Sequence, residues 1–332
     1  MFPSESVTLK YKLDSYFPNS TRVEFKAGND KITVSEDGTI VAQKKGTANV
    51  SVTVYYDNGT KETREAFKSV SVTVKDPFKI TAIYLNNYRG LGGEVVIPDN
   101  RGITTIYDYA FSGYEYVDKD ENDEISEEDP YLIKQHYLGD DTITKVVIPE
   151  GVTTINSYAF ANLTALEEVV VPSTLTKIGL GAFYNCTSLN KISSTKPDNA
   201  NNIKFINQNA FYNCALSEIN LQSVVAIGNY TFENCKLNYI ELPETAQSLG
   251  IGAFYNNDNL TSVQFNASKI KIGSYAFAEC EKLESIDINS VVLSSYAFYN
   301  SKALKNVTLG KDVAVIGQYA FTGTAVDKFS ID

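Results

Sequence analysis

Ile272-Gly273-Ser274-Tyr275-Ala276-Phe277-Ala278-Glu279-Cys280-Glu281-Lys282-Leu283-Glu284-Ser285-Ile286-Asp287-Ile288 is the stretch that decides the fold, because the chain keeps repeating it. Its Ala-Phe core (once Thr-Phe) recurs at Phe111, Phe160, Phe183, Phe211, Phe232, Phe254, Phe277, Phe298 and Phe321. The gaps between them are 49, 23, 28, 21, 22, 23, 21 and 23 residues. A period of about 22 residues belongs to solenoids, whose units cannot bury an apolar face alone and stack on their neighbours.

After each Phe comes Leu-x-x-(Ile/Val)-x-apolar, as in Leu166/Val169/Val171, Leu216/Ile219/Leu221, Leu237/Ile240/Leu242 and Leu283/Ile286/Ile288. The alternation is that of a half-buried strand. One strand per unit, always in the same direction, predicts a parallel sheet. Pro149, Pro172 and Pro243 directly follow such strands and end the pairing. Ile178-Gly179, Ile227-Gly228, Ile272-Gly273 and Ile316-Gly317 read as turns in which Gly permits a bend and close backbone approach. The Ala-Phe segment reads as a short helical or turn element across the coil. The expected fold class is therefore mainly β with short helical turns.

The repeated phrase resembles the BspA-like (Treponema pallidum-type) leucine-rich repeats over residues 77–332. The resemblance implies a right-handed leucine-rich repeat solenoid with a parallel sheet. It also implies a bacterial protein that is secreted or on the cell surface, with adhesion to a host or bacterial surface protein as the expected role.

Residues 1–76 follow a different pattern. Lys31–Val34 and Thr39–Ala42 flank Glu36-Asp37-Gly38 as a hairpin, and Val50/Val52/Val54 and Val70/Val72/Val74 alternate with polar residues. Short strands with frequent turns predict a β-sandwich. The run Ile32–Ala42 with Gly46-Thr47-Ala48-Asn49-Val50 resembles a bacterial group-2 Ig-like domain, which implies a spacer or adhesion module. Asp76-Pro77 is the expected junction. Ile80–Leu85 and Glu94–Ile97 read as a hairpin capping the first repeat.

The net charge of −11 argues against a nucleic-acid partner. Most of it lies in residues 115–129, with nine acids and one base. The 49-residue gap is about two periods, and one unit is read as lost to an acidic insertion at 112–142. Within it, Asp118, Asp120, Asn122, Glu124 (through its carbonyl), Ser126 and Asp129 overlay the alternating oxygen ligands of a twelve-residue calcium loop. The usual Gly is Asp123, and the last ligand is Asp rather than Glu. A calcium site and a solvated acidic insertion both remain readings of this segment. Pro130 falls in the first turn of Tyr131–Tyr137, a segment whose sequence leaves a short helix open.

Cys186, Cys214, Cys235 and Cys280 each lie three residues after a Phe. One thiol per repeat, without a close second ligand, reads as a column of small core residues rather than zinc. Disulfides between neighbours stay open. Tyr109, Tyr158, Tyr230, Tyr275, Tyr296 and Tyr319 precede their Phe by two, and Tyr184, Tyr212 and Tyr255 follow theirs by one. The two positions are three apart, on one face if the turn is helical. They read as a stabilising aromatic ladder, with glycan stacking as the alternative.

No Gly-x-Ser-x-Gly, His-Glu-x-x-His, phosphate loop or Cys-x-x-Cys occurs, and His136 is the only histidine. The reading is not an enzyme. No apolar run is long enough to cross a bilayer. Met1–Glu5 lacks the basic start and apolar stretch of a signal peptide. With the family resemblance, this implies a mature form carrying an added Met1. The chain ends inside the strand at Phe329–Asp332, which predicts either a truncated chain or an edge paired in an oligomer. The outward positions of the sheet offer the recognition face, chiefly Glu218, Asn220, Tyr239, Glu241, Gln264, Asp287 and Thr308. This polar, slightly acidic face with few aromatics fits a polar or basic protein surface better than a glycan. A structural spacer that binds nothing is the rival.

Overall fold

The computed structural model describes residues 6–8, 22–57, 62–66, 70–74, 78–88, 92–112, 114–116, 133–135, 142–196, 200–267, 269–288 and 292–331. The chain divides into two units, Met1–Lys79 with Tyr88–Leu91, and Ile80–Asn87 with Gly92–Asp332. Asp76-Pro77 lies outside the described residues.

In the first unit two antiparallel sheets contribute to one core. Ile32–Val34 pairs with Thr39–Ala42, as the turn at Asp37-Gly38 predicts, and Thr39–Ala42 also pairs with Ser6–Thr8. The Asp37 carboxylate accepts from the Thr39 amide at 3.0 Å, and Gly38 takes a φ of +80°. That geometry is the reason for an Asp-Gly turn here. Gly46–Asp57 pairs with Arg22–Ala27, Glu62–Ala66 and Val70–Val74. Ile32, Ile40, Ala42, Ala48, Val50 and Val72 form the core, with Phe25, Ala27 and Val34 against it.

The second unit is a parallel β-solenoid whose coil has three sides. The front side carries the predicted strands. Gly93–Val96, Ile143–Val147, Glu168–Val171 and Lys191–Ser194 form one parallel ladder. Tyr239–Leu242 pairs with Ser262–Phe265, and Ser285–Ile288, Asn306–Leu309 and Phe329–Ile331 form a third group. In Tyr239–Leu242 and Ser285–Ile288 the residues alternate exposed and buried.

The front ladder is not continuous, because residues 216–221 form no strand. The longer segment after Ser194 explains this. Its buried Asn201 donates to the Asn220 carbonyl at 3.2 Å, and the Asn201 carbonyl accepts from Ser223 Oγ at 3.0 Å. The Asn220 carbonyl, which a ladder would use, is therefore engaged. The Lys236 and Asn238 amides still reach the carbonyls of Leu216 and Ser217.

The second side corrects the reading of Ile-Gly as a plain turn. Each Ile sits in a two-residue strand, and these strands form a second parallel ladder. It runs from Thr105–Ile106 through Thr154–Ile155, Lys177–Ile178, Phe205–Ile206, Ala226–Ile227, Ser248–Leu249, Lys271–Ile272 and Val292–Leu293 to Val315–Ile316. The following Gly is demanded by crowding. A Cβ on Gly250 would lie 2.4 Å from the Gly228 carbonyl carbon, and one on Gly273 2.5 Å from the Gly250 oxygen.

The third side holds the Ala-Phe segments, and they are turns rather than helices. Among the described residues helical geometry is confined to the 3-10 turn Asp99–Arg101 and to Thr142. The Phe amide of each rung donates to the next rung's carbonyl, as Phe160 does to Ala182 and Phe254 to Ala276, both at 2.8 Å. The rings stack in parallel from Phe160 to Phe321 with centroids 5.1–5.5 Å apart. Parallel stacking at this spacing buries large apolar area in each rung.

Two expectations about the start of the solenoid change. Thr105–Ile106 pairs with Tyr84–Tyr88, and Gly93–Val96 pairs parallel with Ile143–Val147, so the first repeat of the solenoid is already a coil and not a capping hairpin. Across the 49-residue gap Phe111 stacks on Phe160 at 4.6 Å. No rung is lost, and the insertion leaves and re-enters between adjacent rungs. Its described parts, Tyr114–Tyr116 and Ile133–Gln135, pair antiparallel, so Ile133–Gln135 is a strand rather than the helix the sequence left open. Asp118, Asp120, Asn122, Glu124, Ser126, Asp129 and His136 lie outside the described residues.

Candidate functional site: the front face and the turn side

The front face has two electrostatic halves. In the N-terminal half, parallel register puts Glu94, Lys145, Glu168 and Lys191 side by side. Lys145 Nζ lies 3.3 Å from Glu94 and 3.6 Å from Glu168, and Lys191 Nζ lies 2.9 Å from Glu168. Ser193 Oγ donates to Glu168 at 2.7 Å. This hydrogen bond first, with Lys191 and Lys145 adding, holds the Glu168 carboxyl below its ordinary value. Sequence reasoning missed Glu94 and Lys145. Their register becomes legible only when the insertion is seen to join adjacent rungs.

The C-terminal half holds most of the predicted face. Tyr239 pairs in register with Ser262, Glu241 with Gln264, and Asp287 with Thr308. Tyr239 OH donates to Gln264 Oε1 at 2.8 Å, Gln264 Nε2 to Asn266 Oδ1 at 2.9 Å, and Asn266 Nδ2 to Glu241 Oε1 at 2.9 Å. Asn266 closes this surface network and was not singled out in the sequence. Asp287 is exposed, and among the described residues no cation pairs with it or with Glu241. Glu218 and Asn220 lie in the break. Asn220 turns its side-chain oxygen onto the Gln222 amide at 3.0 Å, so it is less available than a strand position would make it.

The turn side carries three columns. Tyr109, Tyr158, Tyr230, Tyr275, Tyr296 and Tyr319 adopt φ between 53° and 61°. Gly181, Asn209 and Gly252 occupy the same left-handed position in the other rungs. The tyrosines form ladders, with Tyr184–Tyr212 at 4.8 Å, Tyr275–Tyr296 at 4.8 Å and Tyr296–Tyr319 at 5.1 Å, all stacked. Stacked rings cover one another's faces, which are the faces a sugar would need.

Two residues after Phe lies a second left-handed column that sequence reasoning missed: Asn162, Asn185, Asn213, Asn234, Asn256, Glu279 and Asn300. Asn tolerates this conformation. The amides bond along the stack, Asn213 to Asn185 at 2.7 Å and Asn300 to Glu279 at 2.9 Å. The recurrence of Asn at this spacing was the available signal.

The third column is that of the cysteines. Cys186, Cys214 and Cys235 direct Sγ at the carbonyls of Phe160, Phe183 and Phe211, at 3.1–3.2 Å. Asn257 and Ser301 make the equivalent bonds to Phe232 and Phe277 at 2.8 and 2.7 Å. The column therefore supplies one small donor for a buried carbonyl. All four thiols are buried and unpaired, and burial pushes Cys186, Cys235 and Cys280 up to about 12. Among the described residues no group of three or more His, Cys, Asp or Glu could hold a metal, and no helix is long and apolar enough to cross a membrane.

The repeat model described as "BspA type Leucine rich repeat region" matches residues 131–205 and 204–327 in six copies. Similar solved structures include a leucine rich cell surface protein from Faecalibacterium prausnitzii A2-165, with 19% identity over 84% of this chain and 94% of that one at a TM-score of 0.33. The leucine rich repeat protein of T. pallidum has 28% identity over 48% of this chain and 76% of its own, at a TM-score of 0.40. The pneumococcal vaccine antigen PcpA has 18% identity over 84% and 80%, at a TM-score of 0.36. No curated protein matches the chain. With well over half of its length matched by the repeat model, the chain belongs to the BspA type leucine rich repeat family.

Proposed function

We propose that the chain is a bacterial cell-surface binding protein that holds a basic protein surface on the C-terminal half of its front face. The supporting observation is the contrast between the halves. Glu94, Lys145, Glu168 and Lys191 neutralise one another, whereas Glu241 and Asp287 stand exposed on paired strands with no cation beside them among the described residues. Charges already paired have little to offer a partner, and unpaired ones on a rigid ladder steer and orient one. The first unit, as an Ig-like module, would serve as spacer or accessory adhesion domain.

The test is binding of the chain to immobilised host and bacterial surface proteins, compared with Glu241→Ala/Gln264→Ala/Asp287→Ala. Expected are an affinity that falls with salt and a loss of at least about tenfold in the triple variant at unchanged melting temperature. Unaltered binding rejects the face.

Calcium at Asp118–Asp129 belongs to the same reading, supported by the oxygen-ligand spacing. Chelator-treated protein titrated with calcium should bind it and melt at a higher temperature. A flat titration leaves an acidic insertion.

A further inference from the structure

Among the described front strands, the outward positions carry charged, polar or aliphatic side chains with one exception, Tyr239. Its neighbours across the rungs are Ser262 and Glu218. Tyr239 pairs in register with Ser262, and the bond that accompanies this register runs from the Thr261 amide to the Asn238 carbonyl at 3.0 Å. The same bond recurs one rung earlier, from the Asn238 amide to the Ser217 carbonyl at 3.0 Å. Glu218 is therefore level with Tyr239, one rung and about 5 Å of backbone away. Glu241 lies two residues along the strand from Tyr239, on the same face and about 7 Å away.

The ring is held in place. A carboxylate only accepts, so Asn266 must turn its amide nitrogen to Glu241, Gln264 must turn its own to Asn266, and Tyr239 must give its hydroxyl proton to Gln264. The chain of bonds has one direction and ties the ring at its hydroxyl end. Tyr239 is still 43% exposed, so the ring stays open to a partner. Glu241 uses only Oε1 in this chain. Glu218 and Glu241 are both exposed, and among the described residues neither has an ion pair.

We propose that Tyr239, Glu218 and Glu241 form a subsite for one arginine side chain of the protein partner, a proposal that rests on the front face being the binding face. A guanidinium lays its plane on an aromatic ring and forks its N–H groups to carboxylates beside it. An ammonium brings the charge without the plane. A rigid exposed tyrosine is also the kind of residue on which binding energy concentrates at an interface. Asp287, two rungs from Glu241, has no ring beside it and adds charge alone.

The test is NMR of the isotope-labelled whole chain at low ionic strength, following the backbone amides of Glu218, Tyr239 and Glu241. The probes are N-acetyl-arginine amide and its lysine and citrulline counterparts. The expected result is saturable shifts of those amides with the arginine probe. Binding should be weaker by about threefold or more with lysine and about tenfold or more with citrulline. Tyr239→Ser and Glu218→Gln/Glu241→Gln should each weaken the arginine probe by about threefold or more. Both variants should melt like the parent, since all three side chains are exposed. Asp287→Ala should titrate like the parent. No shift at these amides, equal affinity for lysine, or an unchanged titration in Tyr239→Ser would overturn the subsite. If the arginine probe fails while Glu241→Ala/Gln264→Ala/Asp287→Ala still loses a surface protein, the face stands and the subsite falls. Arginine binding by a chain that holds no surface protein keeps the subsite and rejects the face as a protein-binding one.

Discussion

A tyrosine with a φ near +58° is costly for a side chain with a Cβ, yet Tyr109, Tyr158, Tyr230, Tyr275, Tyr296 and Tyr319 all adopt it. The backbone cannot relax, because each turn is tied to the next rung by amide–carbonyl bonds such as Tyr158 to Leu180 at 2.8 Å. Ring stacking offsets the strain where neighbouring rings exist. Tyr275→Asn should therefore lose the stack and keep a tolerated backbone, as Asn209 does. Tyr275→Val should lose the stack and add strain, and it should be the less stable of the two by about 1–2 kcal/mol in chemical denaturation. Equal losses would mean that strain plays no part. The tyrosine spacing was legible in the sequence, but its conformation was not. Three residues apart reads as a helix face, and only the Asn and Gly that share or follow the position signal left-handed backbone. The thiol column was read correctly as core, although its bond to the preceding Phe carbonyl depends on how the rungs stack.

At the scale of the element, the Glu94–Lys145–Glu168–Lys191 ladder couples adjacent front strands. Glu168 has its carboxyl depressed by Ser193 and the two lysines. A depressed carboxyl contributes stability that is present above its unfolded value and lost as pH falls through its folded one. Glu168→Gln should thus destabilise the fold at pH 7 in chemical denaturation, by less than about 1 kcal/mol for a partly exposed network. Its deficit should shrink on acidification to about pH 3, below the ordinary carboxylate value. A deficit that is constant with pH would remove the electrostatic explanation. Strand existence was legible here from the apolar alternation. The second, two-residue ladder was not, because Ile178 or Ile272 with a following Gly is too short to show a period. It exists because the front strands and the Phe turns already bring those residues into register.

Across the solenoid, each rung depends on its neighbours, as the Phe stack shows. Phe232 is fully buried between Phe211 and Phe254, with centroids 5.4 and 5.2 Å away, whereas Phe321 has a stacked ring on one side only. Phe232→Ala should cost about 3–5 kcal/mol, and Phe321→Ala clearly less. Hydrogen exchange should rise on both sides of rung 232 in the first variant and only near the C-terminal rungs in the second, since solenoid stability is a sum of nearest-neighbour terms. Exchange confined to rung 232 itself would contradict that coupling. The repeat length, the inward Phe, Ala and Leu positions, the parallel front strands and the family follow from the amino-acid order alone, because a period of about 22 residues with fixed apolar positions has few ways to bury them. Stacking of distant rungs decided the rest: that the 49-residue gap adds no rung, that Glu94 meets Lys145, and that the front sheet breaks at 216–221. Each of these is a relation between residues about one repeat or more apart in sequence, set by register between rungs, which no local pattern encodes.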